Sequence, residues 1–101
     1  MYIIEITYKV SPEEIDKHLD PHMDYIEKYY GTGHFLASGR KEPRNGGIIF
    51  ARAKSKERIE DIISKDPLNI SGLAEFRIIE FKATKKTKGY DEFVGEEYTF
   101  E

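Results

Sequence analysis

Histidine is the side chain best suited to exchanging protons near neutral pH, and this chain carries three: His18, His22 and His34. His22 follows Asp20-Pro21, in what reads as the first turn of a helix. One heptad separates Ile15 from His22 and another separates His22 from Tyr29, so the imidazole belongs near the apolar stripe of that helix. An imidazole so placed can serve as general acid or base. It can equally be a structural histidine bonding a carbonyl or the opposite strand. Asp66 is the second residue of interest, standing before Pro67 where the second helix gives way, a natural place for a cap or turn former. Should the two helix ends meet, the aspartate would bond one ring nitrogen, fix the tautomer and leave the other nitrogen to move a proton.

Other chemistries find less support. His18 and His22 are spaced to share a metal ion on an unbroken helix, but Pro21 interrupts it and no third ligand stands at a diagnostic spacing, so no metal and no cofactor are expected. Gly46-Gly47 alone reads as turn chemistry and not as a phosphate loop, and the Gly-x-Ser-x-Gly motif of serine hydrolases does not occur. Glu13-Glu14 and Glu60-Asp61 read as solvated helix faces.

Composition narrows the class. A length of 101 residues suits one domain. The formal charge of −3, from 19 acidic and 16 basic residues, speaks against a nucleic-acid partner, whose footprint is a basic excess. The chain has no cysteine, which removes disulfides and thiolate nucleophiles together. No apolar run approaches the roughly 20 residues that span a bilayer. Met1 leads straight into a strand-like segment, so no membrane partner and a cytoplasmic location are expected.

The elements that would position these residues read as follows. Residues 2–10 are β-branched and aromatic, a central strand. Ser11-Pro12-Glu13-Glu14 is a helix start with Ser11 as cap and Glu14 completing a capping box. Ile15, Leu19, Met23, Ile26 and Tyr30 keep to one face, with a break near Asp20-Pro21, Asp20 as the main helix's cap, and an end at Gly31-Thr32-Gly33. Strands follow at 35–40 and 48–53, joined by a turn-rich link. Ser55 caps a second helix that buries Ile59, Ile62 and Ile63; residues 68–73 add a short turn, and 76–83 form a fourth strand. The order βαββαβ is a ferredoxin-like α+β domain with a four-stranded antiparallel sheet.

Two helices cover one face of such a sheet. Tyr2, Ile4, Ile6 and Tyr8 fall on one side of the first strand, Ile3 and Val10 on the other, and the last strand likewise has Ile79 and Phe81 opposing Phe76 and Ile78. Apolar residues on the uncovered face call for a second copy, a homodimer packed sheet to sheet. A tail folded over that face through Tyr90, Phe93, Val94, Tyr98 and Phe100 is the alternative. The expected division is a domain over 1–84 and a C-terminal extension over 85–101, an arm that can also pack on the dimer.

The pattern resembles the YCII-related (YciI-like) family. The likeness is carried by the opening Tyr2-Ile3-Ile4, the Pro21-His22 pair, Ala37-Ser38-Gly39 after that helix, and Lys65-Asp66-Pro67-Leu68 after the second. It covers roughly residues 1–83. The resemblance implies a ferredoxin-like fold paired into a dimeric α+β barrel, with an active-site His–Asp pair mapping onto His22 and Asp66. One related branch removes chloride from a chlorinated hydroxyquinol. Many members have arginine three residues before the histidine, where this chain has Leu19; Arg40 or Arg52 would have to take over. Arg40 also stands where the family often has proline.

The expected function is a small enzyme of lyase or dehydrohalogenase type acting on a small cyclic organic ligand. His22 would be the general acid or base and Asp66 its orienting partner, with Ser38, Gly39 and Arg40 forming the substrate-binding strand. The alternative is a non-catalytic small-molecule-binding or interaction module in a homodimer.

Overall fold

The computed structural model describes residues 1–95; Tyr98 and Phe100 of the expected tail lie outside them. Strand β1 (Tyr2–Tyr8) is followed by a short helix α1 (Pro12–Asp16) and the main helix α2 (Leu19–Gly31). The hairpin of β2 (Phe35–Arg40) and β3 (Gly46–Ala51) comes next, then α3 (Lys56–Ser64), a single turn α4 (Pro67–Ile70), β4 (Ala74–Glu80) and α5 (Tyr90–Val94). The sheet is antiparallel throughout, in the order β2-β3-β1-β4. This is the ferredoxin-like α+β fold. No described helix is long and apolar enough to cross a membrane.

Local chemistry accounts for the starts and stops. Ser11 and Ser55 extend their hydroxyls to the amides of Glu14 and Arg58, capping α1 and α3. Glu14 does not reciprocate as a capping box would; its carboxylate takes the Lys17 ammonium at 2.7 Å. The break before the main helix falls at Lys17-His18, and Asp20 lies inside α2 instead of capping it. Pro21 is tolerated there because the first amides of a helix have no intrahelical acceptor, so a missing N–H costs nothing. Since α2 begins afresh, its buried stripe is rephased to Tyr25, Ile26 and Tyr29, leaving Met23 45% exposed.

The inner face of β1 (Tyr2, Ile4, Ile6) packs with Ile49 and Ala51 of β3 against the helices, and α3 docks through Ile59, Ile62 and Ile63. Each such side chain contributes roughly 1.5–3 kcal/mol on burial. Val10, expected on the far side, lies beyond the strand and packs on the core, because alternation stops where β1 ends at Tyr8. Strands β3 and β4 each begin two residues earlier than expected, since the Gly46-Gly47 and Ala74-Glu75 pairs join the ladder.

The outer face carries Ile3, Phe50, Ile79 and Phe81 at one end, with the Phe50 and Phe81 rings stacked 6.3 Å apart, and Ile48 opposite Glu5. At its other end Glu5 is held by Lys41 and Arg77 at 3.3 and 3.1 Å. Helix α5 is tied to the body by Arg52, whose guanidinium donates to the carbonyls of Gly33 and Val94, and Val94 is fully buried.

Candidate functional site

Asp66 closes α3 and opens α4. Its backbone is extended, Pro67 follows at the first helical position, and its Oδ1 accepts the Leu68 amide at 2.9 Å, an N-cap built into the turn. The same oxygen lies 2.9 Å from Nδ1 of His22, 44 residues away in the chain. A carboxylate can only accept, so Nδ1 carries the hydrogen, and the lone pair of the neutral ring is left on Nε2. Asp66 is entirely buried, while the His22 side chain keeps 13% of its surface exposed. The arrangement therefore has a fixed, dry partner on one side of the ring and an open side on the other.

Tyr25, one turn along α2, braces the pair. Its ring lies 6.3 Å from that of His22, and its hydroxyl donates to the Ile62 carbonyl at 2.8 Å. Burial, reinforced by the charges of Asp66 and Tyr29, pushes the Tyr25 phenol far above its usual value, so it remains a protonated donor.

His22 lines a cavity of about 360 Å³ between α2 and the β2–β3 end of the sheet. Its size suits a small ring compound. Ser38, Gly39 and Arg40 all line it with His22, as does Leu19; Asp66 is not part of the wall and is joined to it through His22. The Ser38 hydroxyl shares a hydrogen bond of 2.7 Å with that of Tyr30. Arg52 stands apart from the cavity, occupied with Gly33 and Val94, and does not replace the family's missing arginine.

Sequence reasoning passed over several lining residues. Gly46 and Gly47 are not turn residues but the first residues of β3. Gly47 lies opposite Ile6 and Arg40 on the helix-covered face, where the lack of a side chain leaves the cavity open. Gly46 has no room for one: a Cβ there would sit 1.8 Å from the Ile6 carbonyl oxygen. Arg44 comes from the irregular link before β3 and reaches the same cavity, its Nη2 2.5 Å from Oδ1 of Asp16. No periodicity marks a residue in such a link; a cation one residue short of the two glycines was the one available signal. No three His, Asp or Glu side chains among the described residues converge as a metal site.

The family model for the YCII-related domain matches residues 1–82. The chain belongs to the YCII-related domain family. Among solved structures the YCII-related fold of this chain is similar to TftG, the 5-chloro-2-hydroxyhydroquinone dehydrochlorinase from Burkholderia phenoliruptrix AC1100, in complex with 2,5-dihydroxybenzoquinone. The TM-score is 0.61 at 18% sequence identity, covering 81% of this chain and 94% of that one. At that identity the likeness to TftG speaks to the fold. No curated protein matches this YCII-related chain.

Proposed function

We propose that the protein is a small acid–base enzyme of lyase type that abstracts a proton from a small oxygenated ring and expels a leaving group, as in dehydrohalogenation. His22 Nε2 takes the proton, the electron pair it leaves behind forms a new π bond in the ring, the carbon–halogen bond breaks with its own pair leaving on the halide, and Asp66 orients the imidazole. Ser38 and Arg40 hold a ring oxygen. One observation carries this reading: an imidazole bonded at 2.9 Å to a fully buried aspartate and standing on the wall of a cavity of ring-compound size. That a protein of the same fold is a dehydrochlorinase with a bound benzoquinone points to substrates of that type.

We also infer a cytoplasmic homodimer built on the outer sheet face, where Ile79 and Phe81 are 39% and 37% exposed beside Ile3 and Phe50. Residues 1–84 form its folding unit and 85–101 an accessory arm. Halide release from chlorinated hydroxyquinols tests the chemistry. His22→Ala should lower kcat by about 10²–10⁴-fold with the fold intact. Undiminished turnover in His22→Ala, or no turnover of any such ring by the native protein, overturns the reading.

A further inference from the structure

The titratable side chains on the cavity wall are Tyr8, His22, Arg40 and Arg44; none of the described lining residues is an aspartate or glutamate. Two carboxylates stand behind this wall: Asp66, bonded to His22, and Asp16, bonded to Arg44 and itself half exposed. Both arginines act on Asp16: the Arg44 hydrogen bond, and the charges of Arg44 and Arg40, hold it below the usual carboxylate range. Arg44 is in contact with that carboxylate while Arg40 acts on it through its charge, and the Tyr8 phenol lies beside Arg44. The Asp16 contact also holds Arg44, a lining residue whose side chain is only 27% exposed, with little freedom left to lose. Apart from Ser38 and three glycines the remaining wall is apolar, with Leu19, Ile26 and Leu68 among its members.

We propose that Arg40 and Arg44 make this cavity selective for small rings bearing an anionic oxygen group, a carboxylate or an ionised enol, and that Arg44 is the principal specificity residue. The inference rests on the cavity being the substrate site of the proposed acid–base reaction. The guanidinium pair receives the charged group, the apolar wall takes the ring, and His22 meets the ring's far edge. Neutral rings of the same shape offer no anion to Arg40 or to the Arg44 donors not engaged with Asp16, and bind more weakly.

Isothermal titration of the intact protein with 3,4-dihydroxybenzoate and with its uncharged amide, 3,4-dihydroxybenzamide, tests this. The acid should bind at least about tenfold more tightly, a preference that shrinks as salt is raised. Arg44→Gln should reduce the acid's advantage to about twofold, Arg40→Gln should reduce it by a smaller factor, and Arg44→Lys should restore part of it. His22→Gln keeps both cations and should leave the preference within about threefold of the native value while abolishing turnover. Equal binding of acid and amide, failure of both to bind, or an unchanged preference in Arg44→Gln with native thermal stability overturns the proposal. A preserved acid preference with turnover undiminished in His22→Gln upholds it and rejects the catalytic role instead.

Discussion

Removing Asp66 tests whether the His22–Asp66 contact is an interaction or a mere adjacency. Asp66 Oδ1 receives two hydrogens, from His22 Nδ1 and from the Leu68 amide, each at 2.9 Å. The cap contributes about 1 kcal/mol, and a hydrogen bond to a charged acceptor roughly 1.5–3 kcal/mol. Against these stands Oδ2, which is buried with no hydrogen-bond partner among the described residues, so truncation also removes a desolvated oxygen. Asp66→Ala should therefore cost a net of about 2–3 kcal/mol, a fall in Tm of roughly 10–20 °C for a chain of this size. The decisive quantity is the coupling. Urea unfolding of His22→Ala, Asp66→Ala and the double variant isolates the pair term, because the cap is lost equally with or without the imidazole. A coupling of about 1.5–3 kcal/mol is expected. A value below about 0.5 kcal/mol would mean that Asp66 serves α4 alone, and the orienting role in the mechanism would fall with it.

Three further outcomes follow from the same structure. Ser55→Ala removes the acceptor of the Arg58 amide at 3.2 Å and should cost about 1 kcal/mol, read as a Tm lower by roughly 4–8 °C. The two adjacent glycines should separate cleanly: Gly46→Ala drives a Cβ into the Ile6 carbonyl and should cost more than about 3 kcal/mol. Gly47→Ala, whose Cβ meets only the Gly39 carbonyl at 3.1 Å, should stay within about 1 kcal/mol of native stability in urea unfolding while weakening ring binding. Burial, with the charges of Arg58 and Arg52, holds His34 below its ordinary value, so the unfolded chain protonates before the folded one does. The His34 contribution is full above about pH 6.5 and lost as the pH falls through the lowered folded value, at no more than about 1.4 kcal/mol per pH unit. Replacing His34 by Gln should flatten the stability profile between about pH 7 and pH 5; an unchanged slope would refute it.

The residues that decide these tests differ in how far the linear chain reveals them. Ser11 and Ser55 are legible as caps because the competing interactions lie within three residues. The strand alternation of Tyr2, Ile4 and Ile6 is legible because a half-covered sheet imposes a period of two. Local rules go astray where two of them compete: Asp20-Pro21 looks like a helix boundary, yet an N-terminal turn accepts proline equally well, and the phase of the buried stripe on α2 depends on which choice is made. Gly46-Gly47 has the composition of a turn, and only pairing with β1 shows that it belongs to the sheet.

The sequence by itself determined the βαββαβ order, the Ser11 and Ser55 caps and the residue types able to exchange a proton, since each follows from contacts a few residues long. The tertiary structure alone decided that His22 and Asp66, 44 residues apart, stand 2.9 Å from one another, and that Arg44 joins Arg40 on the cavity that His22 lines. Distances between side chains on different elements depend on how the helices settle on the sheet, and that is set by the packing of the whole core at once.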